Sequence, residues 1–178
     1  FPGMSIYAVA IDNRGPAPRL LAGVESSHFG PSVSISDDLG ATWQEPDGIT
    51  VIDDYAHHPT EINAVHQAVR EMHPGKKIAA VFQPHLFSRT RDFADDFAES
   101  LSSFDEVLLL DIYPARELPI LGINSELILG KIGHDNKQLI TKENLPLAAK
   151  KISADVVIIM GAGDISEEVQ KVKQIFQN

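Results

Sequence analysis

The sequence has 178 residues, of which 43% are apolar and 22% are charged, with a formal net charge of -10 and no cysteine. These values are typical of a globular protein with one main domain, and they exclude disulfides, thiolate metal sites and an apolar run of about 18 residues that could span a membrane. The acidic balance also excludes a broad nucleic-acid-binding face, because neutralising phosphates requires an excess of lysine and arginine.

Residues 1–48 are predicted to form a short β-rich segment. Apolar runs at 5–12, 18–26 and 31–36 are typical of strands, and the Pro- and Gly-containing stretches between them have no helical pattern. The stretch SDDLGATW, from Ser36 to Trp43, has the form S-x-D-x-G-x-T-W and resembles the Asp-box hairpin of sialidase-like β-propellers. That resemblance implies a structural turn. It leaves open a carbohydrate-binding module and predicts an added segment that ends near residues 46–49.

From residue 49 onward, short β-branched runs alternate with helical patterns, which is typical of a parallel sheet with crossover helices. The predicted strands are 48–54, 76–83, 105–113, 137–141 and 155–160. The predicted helices are 60–72, 90–104, 125–132, 142–152 and 166–176. We therefore predict an α/β fold, with a doubly wound, mostly parallel, Rossmann-like sheet and helices on both faces.

Local signals refine several of these boundaries. Thr60 is a candidate cap for the first helix, and Asn124 or Ser125 could begin the third. Pro146 is compatible only with the first turn of the fourth helix, because proline lacks an N–H group. Phe97 lies on the predicted apolar face of the second helix.

Polar side chains follow four of the five predicted strands. Since the carboxyl ends of parallel strands share one edge of a sheet, we expect these side chains to surround one opening. They are Asp53, Asp54, His57, His58, His85, Arg89, Arg91 and Arg116. Acids at such a site suit hydroxyl groups, whereas the cations suit a carboxylate or phosphate.

Structural explanations compete with this hypothesis at four of these positions. Asp53 and Asp54 could simply cap the turn after their strand. The adjacent residues His57 and His58 are weak evidence for a metal site, because no cysteine or suitably spaced carboxylate accompanies them, and no metal ligand is assigned.

Arginines and glycines near helix starts can likewise be interpreted in two ways. Arg89 and Arg91 oppose the dipole at the start of their predicted helix, which favours a bound anion as the reason for their presence. Gly161 and Gly163 could form a phosphate-binding turn, but a lone G-x-G is equally typical of a tight turn. His73, near the end of the first predicted helix, is predicted to lie on the surface.

Four stretches carry a resemblance to a known family. They are DDYAHHPTEI, VFQPHLFSRTRDFADDF, LLLDIYPARELPI and GAGDI. Together they resemble the carboxyl-terminal domain of the ATP-dependent Mur ligases over about residues 49–178. The pattern D-Y-A-H-x-P is shared by Mur ligases and folyl-polyglutamate synthases, whereas F-Q-P-H-x-[FY]-S-R-T is similar to the members that join L-alanine to UDP-N-acetylmuramate in peptidoglycan synthesis.

The resemblance implies a reaction in which ATP phosphorylates a carboxylate and the amine of L-alanine displaces the phosphate. Asp54, with Asp53 beside it, would bind ATP through the ribose hydroxyls. His57 and Arg89 would act as the catalytic residues that hold the L-alanine carboxylate, and His85 would line the same pocket. Many members carry arginine where this chain has Leu86, which would shift more of the carboxylate binding to Arg89.

The resemblance also implies parts that this sequence lacks. It contains no G-K-[ST] loop, so the phosphate-binding lysine and the ligands of Mg²⁺ are expected outside this chain. UDP-N-acetylmuramate would bind through central and N-terminal domains, and the chain alone is expected to be inactive. The absence of cysteine and of a secretory signal favours a cytoplasmic location. A non-catalytic nucleotide-binding module remains an alternative.

Overall fold

In a computed structural model of the protein, the described residues are 4–12, 18–26, 30–36 and 49–176. The chain divides into two compact units, Phe1–Asp47 and Gly48–Asn178. Among the helices of the described ranges, none has both the length and the apolar character needed to cross a membrane.

The first unit contains an antiparallel sheet of three neighbouring strands, as predicted. These strands are β1 (Met4–Asp12), β2 (Arg19–Ser26) and β3 (Gly30–Ser36), paired in the order β1-β2-β3. Ala22 in the middle strand is fully buried, whereas Val9 and Ile11 of β1 are mostly exposed. The Asp-box-like stretch lies outside the described residues except for Ser36, so its predicted turn stays a prediction.

The second unit contains the predicted α/β fold. Its strands are β4 (Thr50–Asp54), β5 (Ile78–Phe82), β6 (Glu106–Leu110), β7 (Lys137–Ile140) and β8 (Val156–Met160). Its helices are α1 (Pro59–Met72), α2 (Phe87–Asp92), α3 (Ala94–Leu101), α4 (Ser125–Leu129), α5 (Leu145–Ala149) and α6 (Val169–Phe176). Short 3-10 helices precede α5 at Lys142–Asn144 and α6 at Asp164–Glu168.

All strand pairs in this second sheet are parallel, in the order β4-β8-β5-β6-β7. Alternate residues of each strand point to opposite faces of the sheet. On one face, Val81 and Ile159 join the core beneath α5 and α6. On the other face, the ring of Phe82 packs against Phe97 of α3 at a centroid distance of 5.4 Å. Helices therefore cover both faces, which confirms the doubly wound fold.

Two local predictions are corrected at the helices. The cap of α1 is His58 rather than Thr60, because Pro59 takes the first helical position, for which its fixed φ is suited. The second predicted helix begins earlier, at Phe87, and breaks into α2 and α3 at Phe93, whose backbone has φ -124° and ψ 22°. The other caps are as expected, since Asn124 accepts the N–H of Leu127 at 3.2 Å.

Histidine exposure was also predicted wrongly at one position. His73, which was expected on the surface, is only 6% exposed. It caps the carboxyl end of α1, and its N–H donates to the Val69 carbonyl at 2.9 Å. Helical periodicity does not reveal that burial, because the residue lies just beyond the last periodic position.

Asp105 ties α1 to the edge of the sheet, and its removal is expected to destabilise the second unit. Its carboxylate accepts the N–H of Ile78 at 2.8 Å and the guanidinium of Arg70 at 3.0 Å. Burial alone would raise the pKa of Asp105, but these hydrogen bonds outweigh burial and hold the pKa below its usual value.

A carboxyl group with a depressed folded-state pKa contributes stability above its unfolded pKa and loses it as the pH falls through the folded pKa. We therefore expect Asp105→Asn to lower the free energy of unfolding by about 1 kcal/mol at pH 7. Relative to the unsubstituted protein, this deficit should shrink below about pH 4. Urea unfolding at several pH values measures it, and a deficit that does not change with pH would contradict the assignment.

Candidate ligand-binding site

The order of the strands opens a crevice at the carboxyl edge of the second sheet. The chain leaves β4 and β5 toward α1 and α2 on one face. Between them lies β8, from which the chain turns toward α6 on the opposite face. In doubly wound sheets, ligands bind where neighbouring strands send their connections to opposite faces. The segments after β4, β5 and β8 therefore form the candidate site.

The loop after β4 carries His57 at the start of α1. The Nδ1 atom of His57 lies 3.0 Å from the carbonyl oxygen of Tyr55, which can only accept, so Nδ1 carries the proton in that contact. The N–H groups of His57 and His58 both donate to Glu61, at 2.9 and 3.0 Å. This arrangement fixes the loop and leaves Nε2 of His57 available for a ligand.

The segment after β5 contributes His85 and Arg89. Nη1 of Arg89 lies 3.5 Å from Nδ1 of His85. Because arginine can only donate, Nδ1 of His85 is the acceptor, and the neutral ring carries its proton on Nε2. Burial lowers the pKa of His85, and the positive charges of Arg89 and His57 lower it further, while Glu117 opposes the shift. His85 is therefore a neutral hydrogen-bond donor at pH 7.

His57, His85 and Arg89 come together as predicted for one opening. The rings of His57 and His85 meet edge to face with their centroids 6.0 Å apart. No acidic side chain within residues 49–176 forms an ion pair with the half-buried guanidinium of Arg89. A partly buried cation without a counter-ion, beside two imidazoles, fits a small anion such as a carboxylate.

Asp53 and Asp54 point in different directions because they are adjacent in β4. Oδ1 of Asp54 accepts the N–H of Ala56 at 2.7 Å and shapes the turn toward His57, while Oδ2 has no partner among the described residues. Asp53 lies beside Lys173 of α6, on the other face of the sheet. Burial raises the pKa of Asp53, and the charge of Lys173 opposes that shift.

Three other predicted residues lie outside this cluster. The ring of His58 packs on Phe93 at a centroid distance of 4.8 Å. Arg91 is exposed and paired with Asp92 at 2.7 Å, and Arg116 is exposed on the segment after β6. Of the cations predicted around the opening, Arg89 is therefore the one joined to both histidines.

A network that sequence patterns did not reveal lies next to the cluster. The side chain of Gln83 donates to Asp164 at 2.9 Å and accepts the N–H of Ile165 at 3.2 Å, and Asp164 is paired with Lys142. Burial alone would raise the pKa of Asp164, but the hydrogen bonds from Lys142 and Gln83 hold it below its usual value.

These residues border a cavity of about 200 Å³ beyond the ends of β6 and β7. Tyr113 also lines it, and its ring stacks on His85 at 5.7 Å. Glu117, on the same segment, accepts the N–H of Ser88 at 2.9 Å in the first turn of α2. Only the polar character of these side chains was visible in the sequence, because their pairing joins residues far apart in the chain.

The family model that matches this chain is described as the Mur ligase, glutamate ligase domain, and it covers residues 41–163. The UDP-N-acetylmuramate–L-alanine ligase of Christiangramia forsetii is 70% identical over 128 residues, which are 72% of this chain and 28% of that protein. The ligase of the same name from Flavobacterium johnsoniae is 61% identical over 129 residues, 72% of this chain and 29% of that protein. The chain thus matches less than a third of these relatives' length.

Solved structures show the same fold. The UDP-N-acetylmuramate–alanine ligase of Thermotoga maritima matches 97% of this chain and 45% of its own, with a TM-score of 0.56 and 21% identity. A domain of a Haemophilus ducreyi protein, described as a putative UDP-N-acetylmuramate:L-alanyl-γ-D-glutamyl-diaminopimelate ligase, matches 72% of this chain and 96% of its own. Its TM-score is 0.51, at 23% identity.

Proposed function

The chain belongs to the Mur ligase family, and from that premise we propose that residues 49–178 are the C-terminal domain of an ATP-dependent UDP-N-acetylmuramate–L-alanine ligase of peptidoglycan synthesis. The names of the 70% and 61% identical relatives support this choice of substrate. Their activity is transferred here as a proposal, because the chain spans 28% and 29% of their lengths.

The observation that carries the proposal is the cluster of His57, His85 and Arg89. Its Arg89 guanidinium is half-buried beside a neutral His85 that can donate from Nε2. A carboxylate fits these donors, and an arginine–carboxylate pair can form two parallel hydrogen bonds. We assign His57, His85 and Arg89 to the carboxylate of L-alanine.

Binding the carboxylate orients the amino acid for reaction. The amino group is then free to point away from the cluster toward the activated carboxyl group of the acceptor. Held in one geometry, the two reactants avoid much of the entropic cost of a bimolecular encounter. These side chains therefore act by binding and orientation, and none of them needs to form a covalent bond.

ATP is assigned to the loop after β4. Asp54 suits ribose hydroxyls, because its Oδ2 remains available while Oδ1 holds the turn through Ala56. Asp53 faces Lys173 on the other side of the sheet, so we assign it at most an electrostatic part in ATP binding. Mg²⁺ accompanies ATP in this proposal and is assigned to none of the described residues. UDP-N-acetylmuramate and the ATP phosphates are assigned to parts of such a ligase outside residues 49–178.

A chimeric ligase tests the proposal. The segment of the Christiangramia forsetii ligase that aligns with residues 49–178 is replaced by those residues, and ligation of L-alanine to UDP-N-acetylmuramate is measured. At 70% identity, we expect the chimera to retain a KM for L-alanine within about threefold of the parent's value, which is less than 1 kcal/mol.

The parent ligase and a chimera with Arg89→Ala are the matched controls. A chimera that folds, as judged by circular dichroism, but ligates no L-alanine would contradict the proposal. Calorimetry of the 178-residue chain with ATP and with L-alanine separates the alternative of a nucleotide-binding module, which predicts ATP binding and no role for L-alanine.

A further inference from the structure

The backbone of Tyr113 holds the residues on both sides of His85. Its N–H donates to the carbonyl of Pro84 at 2.8 Å, and its carbonyl accepts the N–H of Leu86 at 2.9 Å. Tyr113 and His85 thus form an isolated parallel bridge beyond the ends of β5 and β6. A pair of hydrogen bonds that brackets a single residue fixes the backbone from which the His85 side chain projects.

This bridge also holds a strained backbone. Leu86 has φ 74° and ψ 134°, a conformation that residues with a side chain rarely adopt. Such strain costs on the order of 1–3 kcal/mol and persists only where neighbouring contacts impose it. At Leu86 these contacts are the bond to Tyr113 and the start of α2, the helix that carries Arg89.

The ring of Tyr113 is fixed between two partners. On one side it stacks on the ring of His85, with centroids 5.7 Å apart and planes 19° from parallel. On the other side it fits against Gly163, in the turn after β8. A Cβ atom on Gly163 would lie 2.6 Å from Cγ and 2.8 Å from Cβ of Tyr113. Only glycine leaves room for the ring in this place.

We infer that Tyr113, supported by Gly163, is a positioning residue that holds the imidazole of His85 beside His57 and Arg89 in the geometry that receives an amino-acid carboxylate. This inference rests on the proposed function for the identity of the ligand. The aromatic ring and the backbone of Tyr113 carry the effect, since its hydroxyl has no hydrogen-bond partner among the described residues.

The first test observes His85 directly in the 178-residue chain. The titration of its ring is followed by NMR in the unsubstituted protein and in the Tyr113→Phe and Tyr113→Leu variants. The charged groups around His85 are Arg89 of α2, His57 after β4 and Glu117 after β6, and none of them is altered. Tyr113→Leu should admit water and raise the pKa of His85 toward its usual value, whereas Tyr113→Phe should leave it unchanged.

The second test measures substrate binding in the chimeric ligase. Loss of an aromatic pair corresponds to about a 3- to 10-fold increase in KM for L-alanine in Tyr113→Leu, and we expect KM for ATP and kcat to change much less. Tyr113→Phe should restore the parent value. Gly163→Ala pushes the same ring from behind and should raise KM in the same direction.

Gly133→Ala is the matched control for the glycine. A Cβ at Gly133 would make only ordinary contacts with Ser102, at 3.5 Å or more. If Tyr113→Leu leaves both the His85 titration and the KM for L-alanine unchanged, the inference is wrong, although the proposed function stands as long as Arg89→Ala still impairs L-alanine use. Failure of the unsubstituted chimera to ligate L-alanine would overturn the proposed function and the inference together.

Discussion

Replacing Arg89 with alanine in the chimeric ligase is expected to raise the KM for L-alanine about 10- to 100-fold and to change the KM for ATP less than about threefold. Hydrogen bonds between charged groups contribute roughly 1.5–3 kcal/mol, and this range corresponds to the expected increase. The guanidinium lies against His85 and has no acidic partner in residues 49–176. Removal of Arg89 therefore breaks no ion pair within the described part of the unit.

Arg89→Lys should recover only part of the loss. A lysine ammonium group restores the charge but cannot form the two parallel hydrogen bonds of a guanidinium with a carboxylate. Intermediate KM values for L-alanine in this variant would therefore separate the contribution of charge from that of geometry.

Arg91→Ala is the matched control on the same helix. Arg91 is exposed and is paired with Asp92 at 2.7 Å, outside the histidine cluster. An exposed pair of this kind contributes about 0–1 kcal/mol, so this variant should keep the parent KM values for both substrates. Equal effects of Arg89→Ala on L-alanine and on ATP would contradict the assignment, since they would indicate a general loss of the closed active site rather than of one contact.

The parts of the fold that sequence reasoning predicted are those that depend on local periodicity. The buried strands around Val81, Leu109 and Ile158 are continuous apolar runs, and such runs between helical patterns indicate a parallel sheet. The order of the strands could not be predicted in the same way. β8, the last strand in the chain, lies between β4 and β5, and its place is decided by which faces the connecting helices cover.

The candidate site was predicted in outline for a related reason. Parallel strands bring their carboxyl ends to one edge, so the loops carrying His57 and Arg89 were expected to meet. The separation of Asp53 from Asp54 follows from strand alternation and could have been predicted. The contact of Tyr113 with His85 could not, because it depends on a bridge between two loops and on the space left by Gly163.

Replacing Phe97 with alanine is expected to lower the free energy of unfolding of the second unit by about 3–5 kcal/mol. Phe97 is fully buried in α3 and packs on Phe82 of β5 at 5.4 Å. Its removal leaves a cavity that the surrounding strands and helices can close only in part, so the loss exceeds the transfer energy of the side chain alone.

Because the chain has two compact units, a single optical signal can mix two unfolding transitions. Hydrogen exchange at the amides of Val81 and Ile159, in the centre of the second sheet, reports on that unit alone. Leu121→Ala is the control, since Leu121 is fully exposed and its removal should change the free energy by less than about 0.5 kcal/mol. Phe97→Leu, which keeps most of the apolar volume, should lie between the two. A loss below 1 kcal/mol in Phe97→Ala would mean that α3 is not anchored to the sheet through this ring, and the joint at Phe93 would then be a weak support for the helix that carries Arg89.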